Sequence, residues 1–202
     1  MHTQPKTAQG RCTLEKIVAA AANLVHRNGV HGTSVDKIIA ASKAGKSQFY
    51  HYFKSKDSVI DAIIEHHKKN YMLPMLESLD AVSSIDGLQQ WSETVINTSP
   101  FLNSKPILGC PLAMLADELA TTSQSSQISL SAKLEEMKMS YLGVLTRIQK
   151  SGEIKSDLDL DALADGMVSI IQGGLLLAKI HQSVAPMRNS IAQWISYLRV
   201  LK

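Results

Sequence analysis

Hydrogen-bond donors are concentrated in one short stretch near the amino terminus. Five of six consecutive residues are polar or hydroxyl-bearing: Lys46, Ser47, Gln48, Tyr50 and His51. A glutamine amide can bind an adenine edge bidentately in the major groove of DNA. Lysine, serine and tyrosine donate to phosphate oxygens, which positions a protein on a duplex without reading its sequence. The chemistry predicted for this stretch is therefore nucleic-acid binding.

Two short helices around a tight turn are expected to position these side chains. The first should run from about Val35 to Ser42, and Thr33 with Asp36 has the spacing of a capping box. The second should run from about Lys46 to Phe53, after a break at residues 43–45. This arrangement is the one by which a protein presents one helix to the major groove.

The aromatic residues of the second helix are predicted to lock it into a core. Phe49 and Phe53 lie four residues apart, so they share one helical face and leave the polar side chains outward. The same pattern also fits a helical hairpin with a solvated polar face and no ligand.

A longer set of residues around these two helices matches a known sequence pattern. It comprises Ile17, Ala19 to Ala22, Leu24, Gly29, Thr33 to Val35, Ile38, Gly45 to Phe53, Ser55 and Lys56. With these residues, positions 13–60 resemble the amino-terminal DNA-binding domain of the TetR family of transcriptional regulators. The family usually has glycine where this chain has Lys43. If Lys43 is left-handed there, the turn is strained by roughly 1–2 kcal/mol.

The resemblance implies an all-α fold of about nine helices, with a helix-turn-helix domain at residues 1–57 and an effector-binding and dimerisation domain at residues 58–202. It also implies a homodimer on a pseudo-palindromic operator in double-stranded DNA. We expect Gln48 and Lys46 to face bases. The full set of expected DNA contacts is Thr33, Lys46, Ser47, Gln48, Tyr50, His51 and Lys56.

Charge and composition agree with this expectation. Residues 1–57 contain nine basic and three acidic side chains, whereas residues 58–202 contain twelve and fifteen. A basic head on an acidic body is typical of a protein that places one end on a polyanion. Strand-like alternation is scarce, which favours helices throughout the 202 residues. Two distant cysteines, no signal peptide and no long uncharged apolar run predict a cytoplasmic protein without a membrane partner.

The helical pattern extends through the chain. A first helix is expected at residues 13–27 after a frayed start, and a connecting helix is expected from Lys56 to an end or kink at Pro74. Residues 121–131 are a Ser/Thr/Gln-rich break or a polar helix start. Further helices are expected at about 85–98, 112–120, 130–151, 159–182 and 185–201.

The last two helices carry apolar stripes that we assign to dimerisation, mostly because proteins resembling this family dimerise through this pair. The assigned residues are Met167, Ile171, Gly174, Ala178, Ile191, Trp194, Ile195 and Leu198. The alternative is that these stripes are only intrachain core.

A pocket for a small molecule is expected in the carboxy-terminal part, again as the resemblance implies. Its candidate lining residues are Trp91, Phe101, Met114, Met137, Tyr141, Met167 and Gln172. Few charges fall on the inner faces, so an apolar or aromatic effector is favoured. Aromatic and methionine residues at helical spacing are also typical of plain core.

Cys110 is a candidate sensor of electrophiles or oxidants. It follows Gly109 and precedes a helix start at Pro111, where a thiol is biased towards thiolate. Lys179 lies in an apolar stretch of the penultimate helix. Some TetR-like regulators that sense reactive compounds look similar in both places. The alternative is an inert cysteine in a tight turn.

Other chemistry is sparse. The sequence has no Gly-rich phosphate loop, no Gly-x-Ser-x-Gly motif and no paired-cysteine metal site, and the adjacent His66 and His67 point to different helix faces. We therefore predict no enzyme, cofactor or metal. The sequence leaves open an activator, a protein-responsive regulator without a small-molecule pocket, and a ligand-binding module with degraded DNA recognition.

Overall fold

The computed structural model describes residues 5–107, 109–119 and 124–202, and these residues form α-helices and connecting turns without a strand. The prediction of an all-α fold is confirmed. The helices are α1 (Ala8–Asn28), α2 (Val35–Ser42), α3 (Lys46–Tyr52), α4 (Lys56–His67), α5 (Leu73–Glu77), α6 (Ile85–Thr98), α7 (Pro111–Leu119), α8 (Gln124–Lys150), α9 (Leu160–His181) and α10 (Ala185–Val200).

The chain divides into two compact units. The first contains the residues up to Tyr71 together with Pro111–Ser131, and the second contains Met72–Cys110 and Ala132–Lys202. The first unit thus adds α7 to the four amino-terminal helices. The division predicted after residue 57 concerns function rather than compactness, and it stays a prediction.

The first helix begins earlier than its apolar pattern predicts. It starts at Ala8 instead of about residue 13, because the Thr7 hydroxyl accepts a hydrogen bond from Gly10 N–H at 3.1 Å and caps the helix. The Tyr52 hydroxyl donates to Gly10 O at 3.2 Å, which ties this end to α3. α1 packs against α2 and α4 over a core that includes Ile17.

The connecting helix changes before Pro74, not at it. The α-helical turns end at His67, and a π-helical turn, Lys68–Met72, leads into α5. Proline has no N–H and its ring clashes with the carbonyl four residues earlier, so a regular α-helix cannot pass through Pro74 unchanged. The wider turn that precedes it absorbs this defect. The amide of Asn70 donates to His66 O at 2.9 Å within the same stretch.

The second unit is built on α6, α9 and α10. α10 packs against both α9 and α6. At Gly174 a Cβ would lie 2.9 Å from Met187 Cγ, so glycine allows α9 and α10 to approach closely. Arg147 of α8 donates to the carbonyls of Val82 and Leu79 at 2.8 and 2.7 Å, which fixes the turn before α6.

The carboxy-terminal helices follow the predicted bounds closely, with one exception. α8 begins at Gln124, inside the segment for which a break or a polar helix start was predicted; residues 121–123 lie outside the described residues. In the described part of the chain, α9 alone has the length and hydropathy that could cross a membrane, and 28% of that window is buried within the fold.

Candidate nucleic-acid interface and effector site

The polar face of α3 is exposed. Lys46, Ser47, Gln48 and His51 are all exposed, and Tyr50 is 51% exposed. The opposite face is locked, because Phe49 and Phe53 are 1% and 0% exposed and their ring centroids lie 5.4 Å apart. Their predicted core role is confirmed. A seven-residue helix has little stability alone, so this aromatic pair determines where its donors point.

Gln48 also holds the start of its own helix. Its Oε1 accepts a hydrogen bond from Gly45 N–H at 2.9 Å, as the third helical residue does in a capping box. The amide nitrogen remains available to donate, and the oxygen retains a second lone pair. The cap therefore orients Gln48 and limits, without abolishing, bidentate binding to adenine.

Thr33 was predicted to contact DNA, but its position does not allow that contact. Its side chain is 0% exposed and its hydroxyl donates to Gly29 O at 2.9 Å, so it cannot reach a phosphate in this conformation. The cap assignment was also shifted by one residue. Ser34 is the N-cap of α2, and its hydroxyl accepts from Lys37 N–H at 3.3 Å. Both residue types can cap a helix, with serine the better of the two, and Thr33 is buried with its hydroxyl bonded to Gly29 O.

The turn between α2 and α3 uses a lysine in a left-handed conformation. Lys43 has φ 55° and ψ 24°, the geometry for which the family usually supplies glycine. Both flanking helices form with their predicted starts, so the strain at Lys43 leaves the two-helix arrangement intact. Lys43 alone gives no argument for lost DNA recognition.

A carboxylate from α7 holds the loop between α1 and α2. Glu118 accepts hydrogen bonds from the backbone N–H groups of Val30 and His31 at 2.7 and 3.2 Å. Lys56 donates to the carbonyl of the same Val30. Gly29 has φ 75°, and a Cβ there would lie 2.7 Å from the Glu118 carboxylate. Sequence reasoning missed Glu118, because nothing local indicates a partner so distant in the chain.

The predicted pocket residues are only partly brought together. In the second unit the rings of Trp91 and Tyr141 meet edge to face at 6.1 Å, and the Gln172 amide lies 3.8 Å from the Met137 sulfur. Trp91 Nε1 also donates to the Ser78 hydroxyl at 2.8 Å. These contacts connect helices α6, α8 and α9.

The other predicted pocket residues differ in position. Met167 is fully buried in α9, and Phe101 is half-buried after α6. Met114 belongs to the first compact unit rather than the second. The contacts described above form two pairs, Trp91 with Tyr141 and Gln172 with Met137, and the two pairs share α8.

The segment before Cys110 is held on the carboxy-terminal end of α9. The Gln182 side chain accepts from Ile107 N–H at 2.8 Å and donates to Ile107 O at 3.1 Å. A Cβ at Gly109 would lie 3.3 Å from Lys179 Cβ and 3.2 Å from Leu175 O. The half-buried Cys110 is the next residue, directly before α7. The segment that ends at Cys110 therefore packs against the turn of α9 that contains Lys179. The hydrogen bonds from Gln182 hold it there, and they were not predicted from the sequence.

The residues assigned to dimerisation face the core of their own chain. All eight are buried within the single chain: Met167, Ile171, Gly174, Ala178, Ile191, Trp194, Ile195 and Leu198. Exposed apolar side chains occupy another face of the same helices, namely Leu176, Leu177 and Ile180 on α9 and Tyr197 and Val200 on α10. Gly173, with nothing within 4 Å of its Cβ position, lies on this exposed side. Sequence periodicity found the stripe that faces the chain's own core.

Two family models match the chain. "Bacterial regulatory proteins, tetR family" matches residues 17–63, and "Tetracyclin repressor-like, C-terminal domain" matches residues 97–194. The chain is 28% identical over 179 residues to an uncharacterized HTH-type transcriptional regulator in the lacX 3' region of Lactococcus lactis subsp. lactis, covering 86% of this chain and 87% of that protein.

Solved structures share the fold at low identity. Escherichia coli NemR in its reduced form superposes with a TM-score of 0.80 at 22% identity, over 91% of this chain and 95% of that one. A cysteine mutant of the regulator CifR complexed with double-strand operator DNA gives a TM-score of 0.77 at 18% identity, over 96% and 98%.

Proposed function

We propose that this chain, which belongs to the tetR family of bacterial regulatory proteins, is a homodimeric repressor that leaves its operator when a small apolar or reactive molecule acts on its carboxy-terminal region. Members of the family are DNA-binding transcriptional regulators, and this chain is one. The observation that supports operator binding most directly is the exposed donor face of α3 above a buried Phe49–Phe53 pair.

We assign two kinds of DNA contact. Gln48 and Lys46 read base edges in the major groove. Ser47, Tyr50, His51 and Lys56 hold phosphates and set the position of the protein on the duplex. Lys56 is only half-buried, and its ammonium has three protons, so it can keep Val30 O and still meet a phosphate.

Two copies associate through the exposed apolar face of α9 and α10. Leu176 and Ile180 are 58% and 64% exposed and lie one helical turn apart. Apolar residues on one face, rather than scattered singly, indicate a protein interface. A two-fold dimer presents one α3 to each half of a pseudo-palindrome, which is how helix-turn-helix proteins gain specificity.

Release from DNA begins at Cys110. The thiolate adds to a ring carbon of an electrophile such as a quinone, a carbon–sulfur bond forms, and the thiol proton ends on the quinone oxygen. Cys110 directly precedes α7, and the preceding residue, Gly109, packs against Lys179; a helix N-terminus and a neighbouring cation are the settings in which cysteines react with electrophiles. An adduct at this position disturbs the start of α7, which follows directly in the chain and whose Glu118 binds the N–H groups of Val30 and His31.

The test is a gel shift with the duplex upstream of the chain's own gene, with and without benzoquinone, an aldehyde or hypochlorite. We expect the parent protein to bind and to be released by at least one reagent. Cys110→Ser should bind equally and resist release. Cys12→Ser is the matched control, because Cys12 is exposed on α1 and outside the proposed sensor; it should be released like the parent. If Cys110→Ser and Cys12→Ser are released equally, Cys110 is not the sensor, and a non-covalent effector remains as the explanation.

A further inference from the structure

Two buried polar atoms in the second unit have no hydrogen-bond partner among the described residues. They are the hydroxyl of Tyr141, whose side chain is 2% exposed, and the amide oxygen Oε1 of Gln172. Buried polar groups almost always have partners, since an unmet one costs the full desolvation of the group. Such atoms in a native fold therefore indicate a place where a ligand or a water molecule can bind.

The two groups belong to one neighbourhood. The Gln172 amide nitrogen contacts the Met137 sulfur at 3.8 Å. Met137 and Tyr141 are four residues apart on α8, so both project from the same face of that helix. Because the Gln172 nitrogen is directed at Met137, its oxygen remains as the acceptor. The ring centroid of Trp91 lies 6.1 Å from that of Tyr141, which adds a second aromatic ring to this neighbourhood.

The chemistry of these two atoms is complementary. Burial raises the pKa of Tyr141 above its ordinary value, so the hydroxyl stays protonated at neutral pH and can donate. Gln172 Oε1 can only accept. A ligand hydroxyl group has both functions that these atoms need, because it can accept from Tyr141 and donate to Gln172.

The surroundings exclude a strongly charged ligand. Trp91, Met137 and Tyr141 are all at least nine-tenths buried, and Met137 can adapt its shape to a guest. The nearest buried cation along α8 is Lys133, one turn before Met137, and it is already 3.7 Å from Glu136. An anion would therefore gain little and lose its hydration.

We propose that the Tyr141 hydroxyl and Gln172 Oε1 are the polar contacts of the effector site, and that the site binds a neutral, mostly apolar alcohol or phenol through its hydroxyl group. This proposal rests on the ligand-responsive function proposed above and adds the ligand class. The site differs from Cys110, which reacts covalently, and it makes a reversible effector possible.

The test uses matched probes that differ by a hydroxyl for a methyl group, p-cresol with p-xylene and 2-naphthol with 2-methylnaphthalene. Binding to the full chain is measured by titration calorimetry. For at least one pair the parent should bind the phenol about tenfold more tightly, the value of one good hydrogen bond. Tyr141→Phe and Gln172→Leu should lose this preference. Tyr71→Phe, at an exposed tyrosine of the π-helical turn Lys68–Met72, is the control and should keep it.

Thermal unfolding separates a ligand contact from a structural water. Tyr141→Phe should unfold at or above the parent's midpoint, because it removes an unmet buried hydroxyl. A lower midpoint, no preference for either phenol in the parent, or a preference that survives in Tyr141→Phe would each overturn the proposal. Operator binding is measured on the same samples. If the parent binds its operator but shows no preference for the phenols, only the proposed ligand site is contradicted. If the parent prefers the phenols but does not bind its operator, the proposed repressor function is contradicted instead.

Discussion

Glu118 Oε2 accepts a hydrogen bond from Val30 N–H at 2.7 Å across 88 residues of sequence. This bond connects α7, which begins directly after Cys110, with the loop that leads into the DNA-reading helices. Lys56 donates to Val30 O at the same time, so this one residue joins α7, the loop and α4. We therefore infer that a displacement of α7 is transmitted to the helix-turn-helix through the two hydrogen bonds of Val30.

Glu118→Gln should uncouple sensing from DNA binding. The neutral amide keeps an acceptor oxygen but loses the charge-assisted bonds, so unfolding should need about 1–2 kcal/mol less free energy. Operator binding without reagent should persist, and release by benzoquinone should be blunted. Urea unfolding and gel shifts measure the two effects. Glu135→Gln, an exposed carboxylate on α8, is the control and should change neither. Release of Glu118→Gln at the parent's benzoquinone concentration would contradict the coupling.

Gln48→Ala should relax sequence preference. It loses both the adenine contact and the hydrogen bond to Gly45 N–H, so the operator should be favoured less over a copy with A·T pairs changed to G·C. Gln48→Glu separates the two roles, since it retains the capping oxygen and lacks the donor for adenine N7. Competition binding should show reduced preference in both variants. Unchanged preference in Gln48→Glu would mean that the side chain is a cap and nothing more.

Lys56→Ala should weaken binding to all duplexes alike and reduce the slope of log affinity against log salt by roughly one. The phosphate contact removed is independent of sequence, so operator and unrelated duplex should lose affinity in the same proportion. Lys150→Ala, which removes an exposed cation at the end of α8, should leave the slope unchanged. An unaltered slope for Lys56→Ala would show that this lysine serves only Val30 O.

A glutamate on the exposed face of α9 should break the dimer. Leu176→Glu or Ile180→Glu would bury an unpaired carboxylate between subunits, so dissociation should be at least about tenfold more favourable. Met139→Glu, also an exposed apolar position but on α8, is the control. Sedimentation equilibrium gives the dissociation constants. Dimers of normal strength in both α9 variants would place the interface elsewhere.

His67 should make the fold sensitive to acid. Burial, followed by the charges of His66 and His26, lowers the pKa of His67 to about 3. Between the unfolded value near 6.5 and this folded value, the unfolded chain binds the proton and the folded chain does not. Protonation of His67 therefore costs no stability above pH 6.5. As the pH falls from 6.5 towards 3, the free energy of unfolding decreases by up to about 1.4 kcal/mol per pH unit.

The measurement is urea unfolding at pH 7 and at pH 5.5. His67→Phe should show a smaller loss of stability between the two than the parent. His181→Phe removes an exposed histidine and should behave like the parent. An identical pH dependence in all three proteins would mean that His67 is not held neutral by burial.

Local patterns predicted much of the fold. The bounds of α2 and α6 follow from caps and apolar spacing, and the buried Phe49–Phe53 pair follows from an interval of four residues. The family pattern marked Lys43 as a position that glycine usually occupies, and Lys43 has a left-handed conformation there. These features depend on neighbours within one or two helical turns, which a sequence displays directly.

The wrong predictions involve partners that a sequence does not display. Ile171 and Leu198 lie on apolar stripes, but periodicity cannot say whether the chain's own core or a second copy covers a stripe. Thr33 and Ser34 compete for one cap, and only packing buries the threonine. Glu118 finds its partner in a loop far away in sequence, and the orphaned oxygen of Gln172 becomes visible only when its surroundings are placed.

The central claim is that two copies of this chain place their α3 helices on one duplex. Sedimentation of the protein with the duplex upstream of its own gene, at low ionic strength, tests it directly. We predict two protomers per operator and an affinity that falls steeply as salt is added. A protein that stays monomeric, or that binds no fragment of this region at low salt, would contradict the account.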